Sequence, residues 1–188
     1  MTRQQQRLSA LRGLLEKILH GQERITLEIG SGHGHYLTAY AAAHPSRFCL
    51  GIDIMSERLV RSERKQTRAG LTNLAFVHAS AEDLLVALPD NVLLDDILIL
   101  FPDPWPKRRH HKNRLIQHPF LSQLAARSIS GARLCFRTDF GEYFAYAQSA
   151  VTAHQAWRID PVASWPFEMP TVFQTRASAY DSLIAIRT

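Results

Sequence analysis

The sequence predicts an α/β fold, doubly wound on a mainly parallel sheet, and three observations carry that reading. Short apolar runs of strand length alternate with amphipathic segments of helix length along most of the chain. The first clear strand passes straight into a glycine-rich turn, "GSGHG" at 30–34. The second clear strand ends in an acid, Asp53, nineteen residues after Gly34.

Taken in order, Leu8, Leu11, Leu15, Ile18 and Leu19 recur at helical spacing and predict an amphipathic helix over 6–20. "ITLEI" (25–29) reads as a buried strand, followed after the turn by the helix-like "HYLTAYAAAH". The pattern then repeats as strand "RFCLGID", helix "SERLVRSERKQTRAG", strand "NLAFVH" and short helix "AEDLLVAL". Next come the strand "LLDDILILF", a helix near 114–129, the strand "ARLCFRT" and the helix "GEYFAYAQSAVTAH". Past Trp157 the text turns proline-rich, with one clear strand at 180–186 that is expected to be an edge or antiparallel strand.

Composition bounds the function classes. A chain of 188 residues with 46% hydrophobic content suffices for one core, so a single domain is expected over 1–188, an N-terminal helix in 1–24 preceding the α/β core of 25–188. The longest nearly apolar stretch, 92–101, is broken by Asp95 and Asp96 and falls far short of the ~20 residues of a membrane span. The N-terminus carries no secretory pattern, and the cytoplasm is the expected address. Cys49 and Cys135 sit in apolar runs and read as buried, reduced thiols; no His or Cys spacing matches a metal signature, so no metal is expected. A net charge of +5 fits a polyanionic partner, and nothing decides between monomer and homodimer.

The glycine turn and the acid behind it suggest a nucleoside cofactor. Gly30, Gly32 and Gly34 allow a sharp bend and a close backbone approach to a ligand, and Asp53 is placed to accept ribose hydroxyls. A dinucleotide fingerprint needs G-x-G-x-x-G, whereas here the third glycine comes one residue early and His35 takes its place. Glu28, at the end of the strand, repels a pyrophosphate but attracts an ammonium. S-adenosylmethionine has an ammonium, a sulfonium and a ribose and no phosphate, and is the expected cofactor. His33 and His35 read as residues at a helix start.

"FPDPWPKRRHHKNR" (101–114) is the most unusual segment. In a doubly wound sheet the fourth strand lies beside the first, so its end is expected to face the cofactor. Pro102, Pro104 and Pro106 stop the strand and stiffen the loop, holding Asp103 between two rings, with Trp105 as a flat apolar wall. Lys107, Arg108, Arg109, Lys112 and Arg114 form the densest positive cluster of the chain. A second group, Arg58, Arg61, Arg64, Lys65 and Arg68, is diluted by Glu57 and Glu63 and reads as an ordinary exposed helix face.

This segment resembles the signature of the tRNA (guanine-N7)-methyltransferase family. The order "LEIGSGHG", "GID", "FPDPWPK", "TDF" and "TVFQTR" follows that family from about residue 25 onward. The resemblance implies a Rossmann-like, seven-stranded class I methyltransferase fold with a C-terminal antiparallel strand, S-adenosylmethionine as donor and a guanine in the variable loop of tRNA as acceptor. It implies that Glu28, Gly30, Gly32, Gly34, Asp53, Ile54, Ser80, Ala81 and Asp103 surround the cofactor and that Asp103 is catalytic. Lys107, Asp139, Thr171, Gln174 and Arg176 match substrate residues, and Arg108, Arg109, Lys112 and Arg114 fall on the RNA-contacting stretch.

The chain departs from the family at three points. Only 24 residues precede the first strand where the family usually carries a longer arm. Ser80 stands where many members have an acid near the adenine, and Gln174 replaces the glutamate of a Thr-x-Phe-Glu motif. Two other classes therefore stay open: a divergent paralogue that binds cofactor and RNA with weak, altered or no tRNA methylation, and a methyltransferase for a small molecule.

Overall fold

The computed structural model describes residues 2–169 and 179–188. Helix α1 (Arg3–Ile18) starts three residues earlier than its apolar periodicity predicts. The Thr2 hydroxyl accepts the Gln5 N–H and the Gln5 side chain accepts the Thr2 N–H, a reciprocal cap that extends the helix through polar residues. The elements that follow are β1 (Arg24–Ile29), α2 (His35–Ala43), β2 (Phe48–Asp53), α3 (Ser56–Ala69), β3 (Leu74–His78), α4 (Ala81–Ala87) and β4 (Leu93–Leu100). After a 3-10 segment, Arg108–Asn113, come α5 (His118–Ala126), β5 (Ser128–Thr138), α6 (Gly141–Thr152), β6 (Trp157–Ile159) and β7 (Asp181–Arg187). The seven strands form one sheet in the order β3-β2-β1-β4-β5-β7-β6. Its contacts divide the chain into two units, Met1–Asp95 and Asp96–Thr188.

In the first unit β1, β2 and β3 run parallel, Leu27 opposite Leu50 and Leu50 opposite Ala75. Ile25, Leu27, Leu37, Tyr40, Leu50 and Leu84 are fully buried around these strands. Removing such side chains from water at ~25 cal/mol per Å2 is the main force that holds the layers together. Two ion pairs tie α1 to later segments, Arg7 to Asp83 at 2.8 Å and Arg12 to Asp90 at 3.0 Å. Asp95, which interrupts the apolar run of β4, pairs with Arg47 at 3.1 Å.

In the second unit β7 runs antiparallel to both β5 and β6, with Cys135 opposite Ile184. The expected C-terminal antiparallel strand is therefore present, but it is internal, because the short β6 covers its outer edge. Three residues carry too little periodicity to announce β6 in the sequence. Asp96 is buried and takes both the Nε and Nη2 donors of Arg133 at 2.7 Å, which satisfies an acid inside a strand. Cys49 and Cys135 are buried free thiols, as expected, and burial pushes the Cys135 thiol up to about 12. Among the described residues no helix is long and apolar enough to cross a membrane.

Candidate functional site

The turn after β1 is built on three left-handed glycines, Gly30 at φ 76°, Gly32 at 54° and Gly34 at 66°. A side chain is disfavoured there by backbone sterics alone. At Gly34 space forbids it as well, since a Cβ would lie 2.6 Å from the Phe76 ring and 2.9 Å from the Ser62 Cβ. The turn is laced to β2: the Gly30 and Ser31 N–H groups donate to the Ile52 carbonyl at 2.8 and 2.9 Å. The Gly32 N–H donates to Asp53 Oδ2 at 2.9 Å, and the Met55 N–H donates to Asp53 Oδ1 at 2.8 Å. Asp53, expected as a ribose acceptor, thus also fixes the turn from below. Helix α3 grips the same turn, with Ser62 Oγ donating to the Gly32 carbonyl at 3.1 Å and Lys65 Nζ to the His33 carbonyl at 2.7 Å.

Glu28 is the unusual group of this unit. It is 3% exposed, and its Oε2 has no hydrogen-bond partner among the described residues. Burial first, and then the charge of Asp53, hold its carboxyl well above the ordinary carboxylate range, against a backbone N–H bond from Leu37. The Ser31 hydroxyl, buried in the glycine turn, is equally without a partner. Buried polar atoms of this kind are uncommon in folded proteins, and a ligand is one of the things that completes their bonding. Ser31 escaped the sequence reading; a hydroxyl residue between two glycines was its only signal. Ile54 is exposed, and its carbonyl bonds the His78 ring at 2.9 Å. The Ser80 hydroxyl caps α4, where it accepts the Asp83 N–H at 3.1 Å, and Ala81 is buried. His35 opens α2, as its position predicts, whereas His33 lies in the turn.

The second unit carries the proline-bracketed loop. Phe101 and Trp105 hold left-handed backbone, φ 50° and 46°, a strained state for aromatic residues that persists only when neighbours enforce it. The Phe101 N–H is held by the Arg137 carbonyl at 2.8 Å, and Trp105 meets the His110 ring edge-on at 5.9 Å. Asp103, Lys107, Arg108, Arg109, Lys112 and Asp139 are exposed. The basic run forms the 3-10 segment, so the helix expected near 114–129 begins only at His118, where Pro119 occupies the first turn.

Arg114 departs from its expected role as an RNA contact. Its side chain is 1% exposed, donating to the Pro104 carbonyl at 3.0 Å and to Glu142 at 2.9 Å, with the Tyr143 and Tyr146 rings each 5.2 Å away. A guanidinium so committed is an internal tie between the loop and α6 and is closed to a phosphate. Thr171, Gln174 and Arg176 lie outside the described residues.

A sheet of this order, with a left-handed glycine turn after β1 and an acid closing β2, defines the class I methyltransferase fold. Solved structures with the same fold include the 16S rRNA methyltransferase KamB (TM-score 0.64, 17% identity, 92% of each chain). Another is the 16S rRNA (adenine(1408)-N(1))-methyltransferase of Catenulisporales acidiphilia, at TM-score 0.62 and 18% identity over 94% of this chain and 91% of that one. The family model described as "Putative methyltransferase" matches residues 22–180, and the chain belongs to that family. Among curated relatives, the tRNA (guanine-N(7)-)-methyltransferase of Magnetococcus marinus is 36% identical over 86% of this chain and 65% of its own length. That of Thermus thermophilus is 33% identical over 76% of this chain and 46% of its own. The chain spans about half to two thirds of the length of these relatives. Among the described residues no group of acids, histidines and cysteines has the makings of a metal site.

Proposed function

We propose that the chain transfers the methyl group of S-adenosylmethionine to N7 of a guanine in the variable loop of tRNA. The observation that carries the donor is the partnerless, buried Glu28 oxygen beside the glycine turn. An ammonium docked there gives Glu28 its missing partner and favours its charged form, opposing the burial that raises its carboxyl above the ordinary range. A pyrophosphate, itself anionic, disfavours the charged carboxylate further, which speaks against a nicotinamide dinucleotide. Gly30, Gly32 and Gly34 let the backbone approach the donor, Asp53 accepts from its ribose, and Ile54, Ser80 and Ala81 border its base. The Ser80 hydroxyl accepts from the α4 cap and keeps its O–H to donate.

The acceptor is supported by the FPDPWPK signature and by the names that the curated relatives bear. The bound donor supplies a methyl carbon on a sulfonium; the N7 lone pair takes that carbon, the sulfur keeps the electron pair of the broken bond, and no proton has to leave the base. Asp103 then needs no strong basicity. Its carboxylate stabilises the positive charge that arrives on the purine. Lys107, Asp139, Thr171, Gln174 and Arg176 orient the nucleoside, while Arg108, Arg109 and Lys112 neutralise phosphates. A tRNA substrate assigns the chain to the cytoplasm.

The test is methyl transfer from labelled donor to two unmodified tRNA transcripts, one normal and one carrying 7-deazaguanosine, in which a C–H replaces N7. Label is expected in the first transcript alone. Equal labelling of both excludes N7 as the acceptor, and labelling of neither removes tRNA as the substrate.

A further inference from the structure

The cations of α3 are not an evenly diluted face. Arg58, Arg61, Lys65 and Arg68 follow one another at steps of three, four and three residues, which aligns them in a single stripe about 15 Å long. Arg64 borders the stripe one residue before Lys65. Glu63, five positions on from Arg58, projects about 140° around the helix from it, whereas Glu57, four residues before Arg61, lies on the stripe's side in the first turn, where it complements the helix dipole. Arg58 approaches Asp53 at 3.8 Å. Arg61, Arg64 and Arg68 are exposed and have no acidic partner among the described residues.

The stripe is also continuous with the glycine turn, because Lys65 donates to the His33 carbonyl at 2.7 Å and Ser62 to the Gly32 carbonyl at 3.1 Å. Burial first, then the fields of Arg61, Lys65 and Arg58, keep His33 below its ordinary range. With five cations against two glutamates, α3 holds +3 of the chain's net +5. Four of the five are arginines, whose forked donors suit phosphate oxygens.

We infer that the α3 stripe, Arg58, Arg61, Arg64, Lys65 and Arg68, is a second RNA-backbone contact surface, separate in sequence from the basic run at 107–112 and flanking the donor turn. It carries positioning contacts only, since its residues present charge and no pattern that reads bases. The inference rests on the tRNA reading and extends it to a surface on the first unit.

The experiment compares the full chain with the triple variant Arg61→Gln/Arg64→Gln/Arg68→Gln, measuring affinity for an unmodified tRNA transcript at several salt concentrations. Loss of three phosphate contacts is expected to flatten the slope of log affinity against log salt by about 2 to 3. S-adenosylmethionine affinity, read by calorimetry, is expected to stay within a factor of two. The charge-preserving variant Arg61→Lys/Arg64→Lys/Arg68→Lys keeps the slope, which separates lost charge from lost fold. An unchanged slope in the triple Gln variant, with tRNA still bound and methylated, overturns the stripe and leaves the tRNA reading standing. Failure of the unaltered chain to bind tRNA overturns both. A triple Gln variant that loses affinity for phosphatidylserine vesicles but not for tRNA assigns the stripe to a membrane surface instead and likewise overturns the inference.

Discussion

Glu28 is an acid buried beside another acid, and burial first, then the charge of Asp53, hold its carboxyl well above the ordinary carboxylate range. A carboxyl whose folded value lies above its unfolded one stabilises the protein at low pH, and that contribution is lost as pH rises through the folded value. Without donor, therefore, the chain is expected to lose stability as pH rises through the raised Glu28 value. Glu28→Gln removes the titrating group and with it that pH dependence, so the melting temperature of the donor-free variant should fall by a few degrees less than the original's as pH rises, at ~2–4 °C per kcal/mol for a chain of this size. The same change should weaken donor binding roughly 10- to 100-fold, since a charged hydrogen bond is worth ~1.5–3 kcal/mol. Thermal melts and donor calorimetry check both signs; a variant that binds the donor as tightly as the original removes Glu28 from the site. For Asp103 the reasoning is purely catalytic. One charge stabilised at an effective dielectric of 20 is worth at most ~4 kcal/mol, so Asp103→Ala should lower turnover by roughly 100- to 1,000-fold with donor affinity little changed. Single-turnover rates decide it, and a full rate would exclude Asp103 from the chemistry.

At the level of elements, the basic 3-10 segment and its neighbour Arg114 separate into two functions that the sequence presents as one run. Arg108, Arg109 and Lys112 are exposed, whereas Arg114 ties the Pro104 carbonyl to α6. Neutralising Lys107, Arg108, Arg109 and Lys112 should flatten the salt slope of tRNA affinity by about 3 to 4, whereas Arg114→Lys should leave that slope unchanged. Arg114→Ala should instead lower unfolding free energy by about 2 kcal/mol, moderated because Glu142 stays half exposed. A matching loss of slope in Arg114→Lys would return this residue to the RNA surface. The segment also shows where sequence legibility ends. Alternation of periods two and 3.6 located the main strands and helices, and the glycine turn and Asp53 stood out because backbone geometry demands those residue types. Arg114 was misread because only tertiary packing between Tyr143 and Tyr146 distinguishes a buried guanidinium from an exposed one in the same run. The early start of α1 was missed because its cap is made by polar side chains outside the apolar stripe, and β6 because it has three residues.

For the whole molecule, the two units divide the proposed labour. The first contains the glycine turn, Glu28, Asp53 and the α3 stripe; the second contains Asp103, the basic 3-10 segment and Asp139. On this account donor binding needs the first unit's residues, while transfer to tRNA needs those of both, so substitutions in the two sets should differ in which step they impair. Glu28→Gln should be rescued by excess donor and Asp103→Ala should not, a distinction read from rates at saturating donor. The measurement that tests the central claim most directly is nucleoside mass analysis of unmodified tRNA after incubation with the chain and S-adenosylmethionine. The account predicts 7-methylguanosine formed in the variable loop, reduced at least 100-fold by Asp103→Ala. A different methylated nucleoside, or none in the presence of bound donor and bound tRNA, would contradict it.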